Sequence, residues 1–338
     1  MGPVLFTHDE VRKAVDGDDP QERIANSTKS LDMIEETIRF LAAGHPNDVR
    51  AAAYIPPGVS HYSVGKARLQ AHVATTVGDD SPMVCYVSVV GTGMTFHKNG
   101  VWRMVWDPNT LALLCMLPDY YVQPWAVGGH AGVATRWLAR EDAKVLTIFG
   151  SSRHAYGALR ANVGARSFDE VRIYSPTPEN RKAFAEEVRR DFDLNVVASE
   201  SPREAVEGAD VISLASRSTP EDEPVLKAEW LSPGAHINTI TYELGPDVIE
   251  RARIVPQETE ELRGLKWEPF SSRLNAGEIP KLGPDMQSIL TSNTTARASE
   301  DEITLYLANS SVVHSVPIAQ WIYEEGRAKG LGQEFDVG

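Results

Sequence analysis

The segment Gly150-Ser151-Ser152-Arg153-His154-Ala155 lies between an apolar run, Val145-Leu-Thr-Ile-Phe149, and a stretch of helix-forming residues. A strand, a tight turn and a helix in that order bring backbone N–H groups and the positive end of a helix dipole to one point, which suits a pyrophosphate. The fit to G-x-G-x-x-G/A is partial, with Gly150 first, Ser152 second and Ala155 third. A serine can still fit at the second position, and its hydroxyl can donate to phosphate. The competing reading is that Gly150 merely ends a buried strand. The next strand-like run ends in Tyr174-Ser175-Pro-Thr177, with Arg181 one turn into the following helix. An acidic residue there would hold a ribose 2′-hydroxyl and repel a 2′-phosphate. Ser175, Thr177 and Arg181 are phosphate-compatible instead, which favours NADP over NAD, with NAD still open. Arg181 as an ordinary solvated helix arginine is the alternative.

These groups need a scaffold, and the patterning supplies one. Runs at 145–149, 170–174, 195–197, 211–214 and 236–240 alternate with helical stretches at 155–162, 178–192 and 202–207. Alternation at that spacing predicts βαβ units, a parallel sheet and helices on both faces. Before it, residues 21–43 carry apolar side chains at helical spacing (Ile24, Leu31, Ile34, Ile38, Leu41) and predict a helix stopped by Gly44-His-Pro46. From Val49 to Leu117 the texture is β-rich, with turn signals at Lys98-Asn-Gly100 and Asp107-Pro-Asn-Thr110. The tail reads as a strand over 301–307 and an amphipathic helix over 317–329 closed by Gly330.

Composition narrows the partners. The chain has 338 residues, 42% of them hydrophobic, enough for two cores, and a formal charge of -14. Such a charge disfavours nucleic acid or an anionic membrane and leaves a small-molecule ligand. Cys85 and Cys115 sit in apolar runs without metal-site spacing, so no metal is expected. No run long and apolar enough to span a bilayer occurs, and a cytoplasmic protein is the expectation.

Taken together, Trp137-Leu-Ala-Arg140-Glu-Asp-Ala, Gly150-Ser-Ser-Arg-His-Ala155, Ala205-Val-Glu-Gly-Ala-Asp-Val-Ile212, Glu223-Pro-Val-Leu226, Trp230-Leu-Ser-Pro-Gly234-Ala-His-Ile-Asn238, Arg297-Ala-Ser-Glu-Asp-Glu-Ile-Thr-Leu-Tyr306 and Ile322-Tyr-Glu with Gly330-Leu-Gly332 resemble the ornithine cyclodeaminase/μ-crystallin family. The resemblance implies an α/β protein: a contiguous Rossmann-type NAD(P)-binding domain over 126–312, and a split α+β substrate and dimerisation domain built from 1–125 and 313–338. It implies a homodimer, and a cofactor site extending from the Gly150 loop to Ala215, Ser216 and Asn238. Family activities are ornithine cyclodeamination, imine reduction, amino-acid oxidation and plain NADPH binding.

The resemblance also marks departures. The family's strand lysine falls at Cys85, beside Tyr86, and its carboxylate-gripping arginine falls near Ala126. Its aspartate after the Rossmann strand falls near Glu243, one methylene longer, and Arg50 lies near a second substrate arginine. Without the lysine, cyclodeamination is weakened. Reduction of an imine or carbonyl needs only a hydride and one proton donor. Glu243 and His130 are the catalytic candidates, His130 because two glycines precede it and it lies where the family places substrate contacts. Arg50, Cys85 and Tyr86 are the substrate-side candidates. Tyr54, His61, Tyr62, His97, Lys98 and Tyr242 are further possible donors, each of which could equally serve packing.

Overall fold

The computed structural model describes residues 2–43, 61–64, 67–75, 82–91, 95–216, 224–240, 244–259, 270–279, 281–292, 294–308 and 312–336. Arg50, Tyr54, Tyr242 and Glu243 therefore lie outside the described residues. The chain divides into two units. The first comprises 1–18, 32–126 and 310–338, and the second 19–31 and 127–309.

In the second unit the central strands are buried at nearly every position, as a sheet covered on both sides requires. β7 (Val145–Phe149), β8 (Glu170–Tyr174), β9 (Val196–Ala198), β10 (Val211–Leu214), β11 (His236–Thr239), β12 (Arg253–Pro256) and β13 (Thr304–Leu307) form one sheet ordered β12-β13-β11-β10-β7-β8-β9. Every neighbouring pair is parallel. The order reverses between β7 and β10. In such sheets ligands bind beyond the C-terminal strand ends at this switch point. The expected strands and helices appear here within a few residues, with β12 in addition.

Two helices cover one face: α3 (Asp119–Leu138), whose residues from 127 on belong to this unit, and α4 (Arg153–Ala165). They cross at backbone contact. A Cβ on Gly128 would lie 2.3 Å from the Gly157 carbonyl oxygen, and one on Gly132 would lie 2.6 Å from that of Ala161. Residues 19–31, the first part of helix α2 (Pro20–Ala42), dock here through the same device. A Cβ on Gly164 would meet the Ser27 side chain at 2.8 Å, and the Thr28 hydroxyl donates to the Gly164 carbonyl at 2.9 Å. α3 starts well before the helical stretch read from sequence, because Pro124 and Gly128-Gly129 look like breakers. Pro124 is the sixth residue of the helix, past the first turn, so the helix forms there in spite of giving up one i→i−4 donor.

The first unit holds a sheet ordered β14-β1-β6-β5-β4-β3-β2, from β1 (Val4–Leu5), β2 (His61–Val64), β3 (Ala67–Thr75), β4 (Met83–Gly91), β5 (Thr95–Trp106), β6 (Leu113–Pro118) and β14 (Gln333–Glu334). The hairpin expected at Asp107-Pro-Asn-Thr110 forms, and the Asp107 carboxylate accepts from the Asn109 and Thr110 N–H groups. The turn signal at Lys98-Asn-Gly100 does not end β5 but marks a break in its pairing: Ser88 pairs with Val101 and Val90 with Phe96, so residues 97–100 fall outside the register with β4, and the Trp102 indole N–H donates to the Asn99 carbonyl. Helix α1 (His8–Val15) opens with a capping box, Thr7 reciprocating with Glu10. The face carrying Val84, Tyr86, Val101, Arg103 and Val105 is buried. There Arg103 pairs with Asp119, bonds the Ser315 hydroxyl and stacks over the Tyr86 ring at 5.1 Å.

Candidate cofactor site

The strand β7 must stop where its carbonyls and N–H groups can still be paired, and Gly150 does this at φ +109°, a conformation L side chains avoid. Its N–H donates to the Tyr174 carbonyl at 2.8 Å. A Cβ here would meet the Ala215 carbonyl oxygen at 2.8 Å and the Ser216 Cα at 3.0 Å. The loop thus approaches the end of β10 backbone to backbone, and only glycine permits it. The same smallness leaves the cradle that a pyrophosphate needs, so the residues present fit a dinucleotide. Ser152 is the N-cap of α4 and its hydroxyl accepts from the His154 N–H at 3.3 Å. No acid stands in the first turn, while Arg153 does. Helix dipole and side-chain charge both favour an anion at this point.

One pocket is lined by Gly128, His154, Ala158, Ser213, Ala215 and Asn238, at the C-terminal ends of β10 and β11 beside the switch point. Burial, reinforced by the neighbouring Arg153 charge, pushes the His154 imidazole down to about 3, so it is neutral at physiological pH. Its Nδ1 is buried without a hydrogen-bond partner. Ala155 is buried where α4 packs on the sheet.

Beyond β8, the Ser151 and Ser175 hydroxyls lie 3.2 Å apart. Thr177 caps α5 (Pro178–Phe192) without a side-chain capping bond, and its side chain is exposed. Arg181 is only 7% exposed, so it is not the solvated helix arginine that sequence alone allows. Its Nη1 donates to the Ser175 carbonyl at 2.9 Å, its guanidinium lies 5.9 Å from the Tyr174 ring centre, and its buried Nε has no partner. Among the described residues no carboxylate pairs with it. A buried guanidinium without a counterion is unfavourable until an anion arrives.

Two sequence expectations move. His130 is fully buried, 3.4 Å from the Tyr306 hydroxyl, and takes no part in lining the pocket. Of the two glycines before it, Gly128 serves the helix crossing, against Gly157. Tyr86 is likewise core, beneath Arg103. Cys85 lies on the opposite face of β4, half-buried, with its thiol pushed up by burial. A thiol so held is a poor nucleophile and carries no charge to replace a lysine. Of His61, Tyr62, His97 and Lys98, the structure describes only strand placement, in β2 and β5. Among the described residues no group could hold a metal ion.

Sequence reasoning missed the buried polar seam of Thr135, Asn162, Ser213, His236 and Thr304 beneath the pocket. The signal was present in His236-Ile-Asn238: two polar residues spaced i, i+2 put both on one face of a strand that is otherwise apolar.

Comparison with known proteins agrees with this geometry. The model of the ornithine cyclodeaminase/mu-crystallin family matches residues 104–330, two thirds of the chain. The Delta(1)-pyrroline-2-carboxylate reductase of Bacillus cereus is 27% identical over 231 residues, covering 66% of this chain and 70% of that protein. The ketimine reductase mu-crystallin of Rattus norvegicus is 34% identical over 137 residues, 40% of this chain and 42% of that protein. Among solved structures, the Delta(1)-pyrroline-2-carboxylate reductase of Thermococcus litoralis in complex with NADH and L-proline superposes with a TM-score of 0.77 at 20% identity, covering 98% of this chain and all of that one. On the glycine-initiated loop, the parallel sheet and these matches, the chain belongs to the ornithine cyclodeaminase/mu-crystallin family.

Proposed function

We propose that this protein is an NAD(P)H-dependent oxidoreductase that reduces the C=N or C=O bond of a small amino-acid-like substrate, or oxidises the matching amine. The observation that carries this is the Gly150 cradle at the switch point, where a side chain on residue 150 would strike the Ala215 backbone. NADP is the favoured cofactor, because the buried Arg181 lacks an anionic partner at the end of β8. Bound there, the nicotinamide supplies a hydride. Gly150, Ser151, Ser152, Arg153 and His154 hold the pyrophosphate side, Ser175, Thr177 and Arg181 the adenosine phosphate, and the chain beyond β11 brings Glu243 as the proton-donating carboxylate. Arg50 and the residues around Cys85 serve the substrate. Reductases of cyclic and linear imines among the relatives support this choice over cyclodeamination, as does a thiol where the family carries a lysine.

The protein acts as a homodimer in the cytoplasm. The open face of the first unit's sheet supports the dimer: Met83, Cys85, Trp102, Met104, Trp106 and Met116 are all apolar and none is buried. Water-facing strand positions are ordinarily polar, and such a face suits a second copy. Two unpaired cysteines suit a reducing compartment.

The test is fluorescence titration with NADPH and NADH, followed by an absorbance screen of NADPH consumption on cyclic imines, keto acid plus amine mixtures, and ornithine. Turnover of an imine or carbonyl, abolished in Glu243→Ala, is the expected result. Ammonia release from ornithine without net cofactor use would replace this reading with the cyclodeaminase, and binding without turnover would replace it with a ligand-binding protein.

A further inference from the structure

At the other end of the second unit's sheet from the Gly150 loop, where β7 and β13 begin, helices α3 and α4 both terminate. A helix end leaves its last carbonyls without partners, and here arginines serve them. Arg166, the C-cap of α4, donates through Nη2 to the Arg136 and Ala139 carbonyls, each at 3.1 Å. Arg297 donates to the Leu138 carbonyl, to that of Gly234 at 2.9 Å and to that of Glu300 at 3.1 Å.

A bond to a carbonyl meets a hydrogen-bonding need but leaves the charge whole. Arg140 is neutralised twice, by Asp210 at 2.6 Å and by Asp142 at 3.0 Å. Among the described residues no carboxylate comes within ion-pair distance of Arg166 or Arg297, and the Nε of each is buried without a partner. Burial pulls both guanidinium groups below the usual arginine range, against the opposing pull of Glu141 on Arg166 and of Glu300 and Glu302 on Arg297. Arg166 also makes no bond through Nη1 among the described residues, so that nitrogen has donors to spare.

These two arginines line a cleft of about 490 Å³ together with Arg136, Arg140 and Trp137, a size that suits a small organic ligand. Its charge runs against that of the chain. Four arginines stand there against Glu141, Asp142 and Glu300, whereas the whole chain carries 33 basic and 47 acidic residues. Asp142 is committed to Arg140, and Glu141 and Glu300 are exposed, where water screens them. Trp137, at 36% exposure, gives the cleft one flat apolar wall.

We propose that this cleft binds a small organic anion, a carboxylate or phosphate group carried on a flat ring, with the anionic group on Arg166 and the ring on Trp137. Arg297 contributes charge rather than contact, since both its Nη atoms are spent on carbonyls and its Nε is buried. The site lies at the far end of α4 from Ser152 and does not depend on the cofactor reading.

The probes are benzoate and phenyl phosphate, with benzamide as the uncharged ring and inorganic phosphate as the anion without a ring. Each is titrated calorimetrically, with and without saturating NADPH, into wild type, Arg166→Gln and Trp137→Leu, with melting temperatures alongside. Saturable one-to-one binding of a ring anion, unchanged by NADPH and at least about tenfold tighter than either control, is the expected result. The tighter of the two ring anions identifies the head group as carboxylate or phosphate. Arg166→Gln keeps an amide donor for the α3 carbonyls but loses the charge, and should weaken the ring anions about 10- to 150-fold. Trp137→Leu should weaken them about 2- to 12-fold and leave inorganic phosphate within about twofold. Absence of saturable binding, benzamide binding as tightly as benzoate, or an Arg166→Gln protein that binds like wild type overturns the proposal. So does competition by NADPH, which would place the probes in the cofactor site. Should Arg166→Gln not fold, Trp137→Leu decides it, because ring anions that bind this variant as tightly as wild type also overturn the assignment.

Discussion

Arg181→Met removes a charge while keeping a straight chain of similar bulk, and it isolates what the adenosine end of the site reads. Arg181 is 7% exposed, with its guanidinium bonded to the Ser175 carbonyl and with no carboxylate partner among the described residues. A 2′-phosphate reaching it would gain charge-assisted hydrogen bonds, each about 1.5–3 kcal/mol net. Losing one such bond corresponds to a roughly 10- to 150-fold rise in the Kd for NADPH. NADH has no 2′-phosphate, so its Kd should change by no more than about threefold, the share of the lost Ser175 contact. Any general damage to the turn between β8 and α5 weakens both cofactors equally and cancels in their ratio. The ligand-free protein should melt at the same temperature or higher, because an unpaired buried charge is gone. Paired fluorescence titrations and a melting curve without ligand are the assay. An NADPH/NADH affinity ratio that Arg181→Met leaves unchanged, or a wild type that prefers NADH, would refute the argument.

Three further outcomes follow from features already described. His154 and His236 have pKa values near 3, below the unfolded value, so the unfolded chain takes up protons first as pH falls. Stability is full above about pH 6.5 and should decline by as much as ~1.4 kcal/mol per pH unit for each histidine between there and pH 4, with His236→Gln flattening the urea-midpoint profile. Leu111 is 74% exposed at φ +59° in the turn between β5 and β6. Leu111→Gly should raise stability by about 1 kcal/mol in urea denaturation, since a left-handed non-glycine residue is strained. Met104→Lys puts a charge on the open face of the first unit's sheet and should shift the protein from dimer to monomer in sedimentation velocity without lowering its melting temperature at high dilution.

Much of the second unit is legible in the sequence because strands buried on both faces must be mostly apolar, and Val145–Phe149 and Val211–Leu214 are short runs of that kind, each with one small polar residue, Thr147 and Ser213. The cofactor loop is legible for a related reason, since the glycine that closes such a strand has few substitutes. The glycines that drew attention to His130 read ambiguously because a glycine has two uses, freedom of the backbone and absence of a side chain, and sequence does not distinguish them. At Gly128 and Gly132 it is the absence that counts. At Asn99-Gly100 the turn chemistry is expressed as an irregularity within β5, between the Ser88–Val101 and Val90–Phe96 pairs, rather than as the end of the strand. The hydrogen bonds of the buried polar seam join side chains from five different strands and helices, Thr135 to Asn162, Asn162 to Ser213, Asn238 to Thr135 and His236 to Thr304 and Asn238, and only the His236-x-Asn238 spacing foreshadows them.

That seam also constrains how the chain can vary: Asn238 donates to Thr135, Thr135 to Asn162 and Asn162 to Ser213, so a replacement that reverses a single donor leaves two buried groups unmatched at once. Drift along such a seam proceeds by paired exchanges or not at all. The positions most tightly tied to this pocket are then expected to change together across descendants, as a linked set rather than as independent sites.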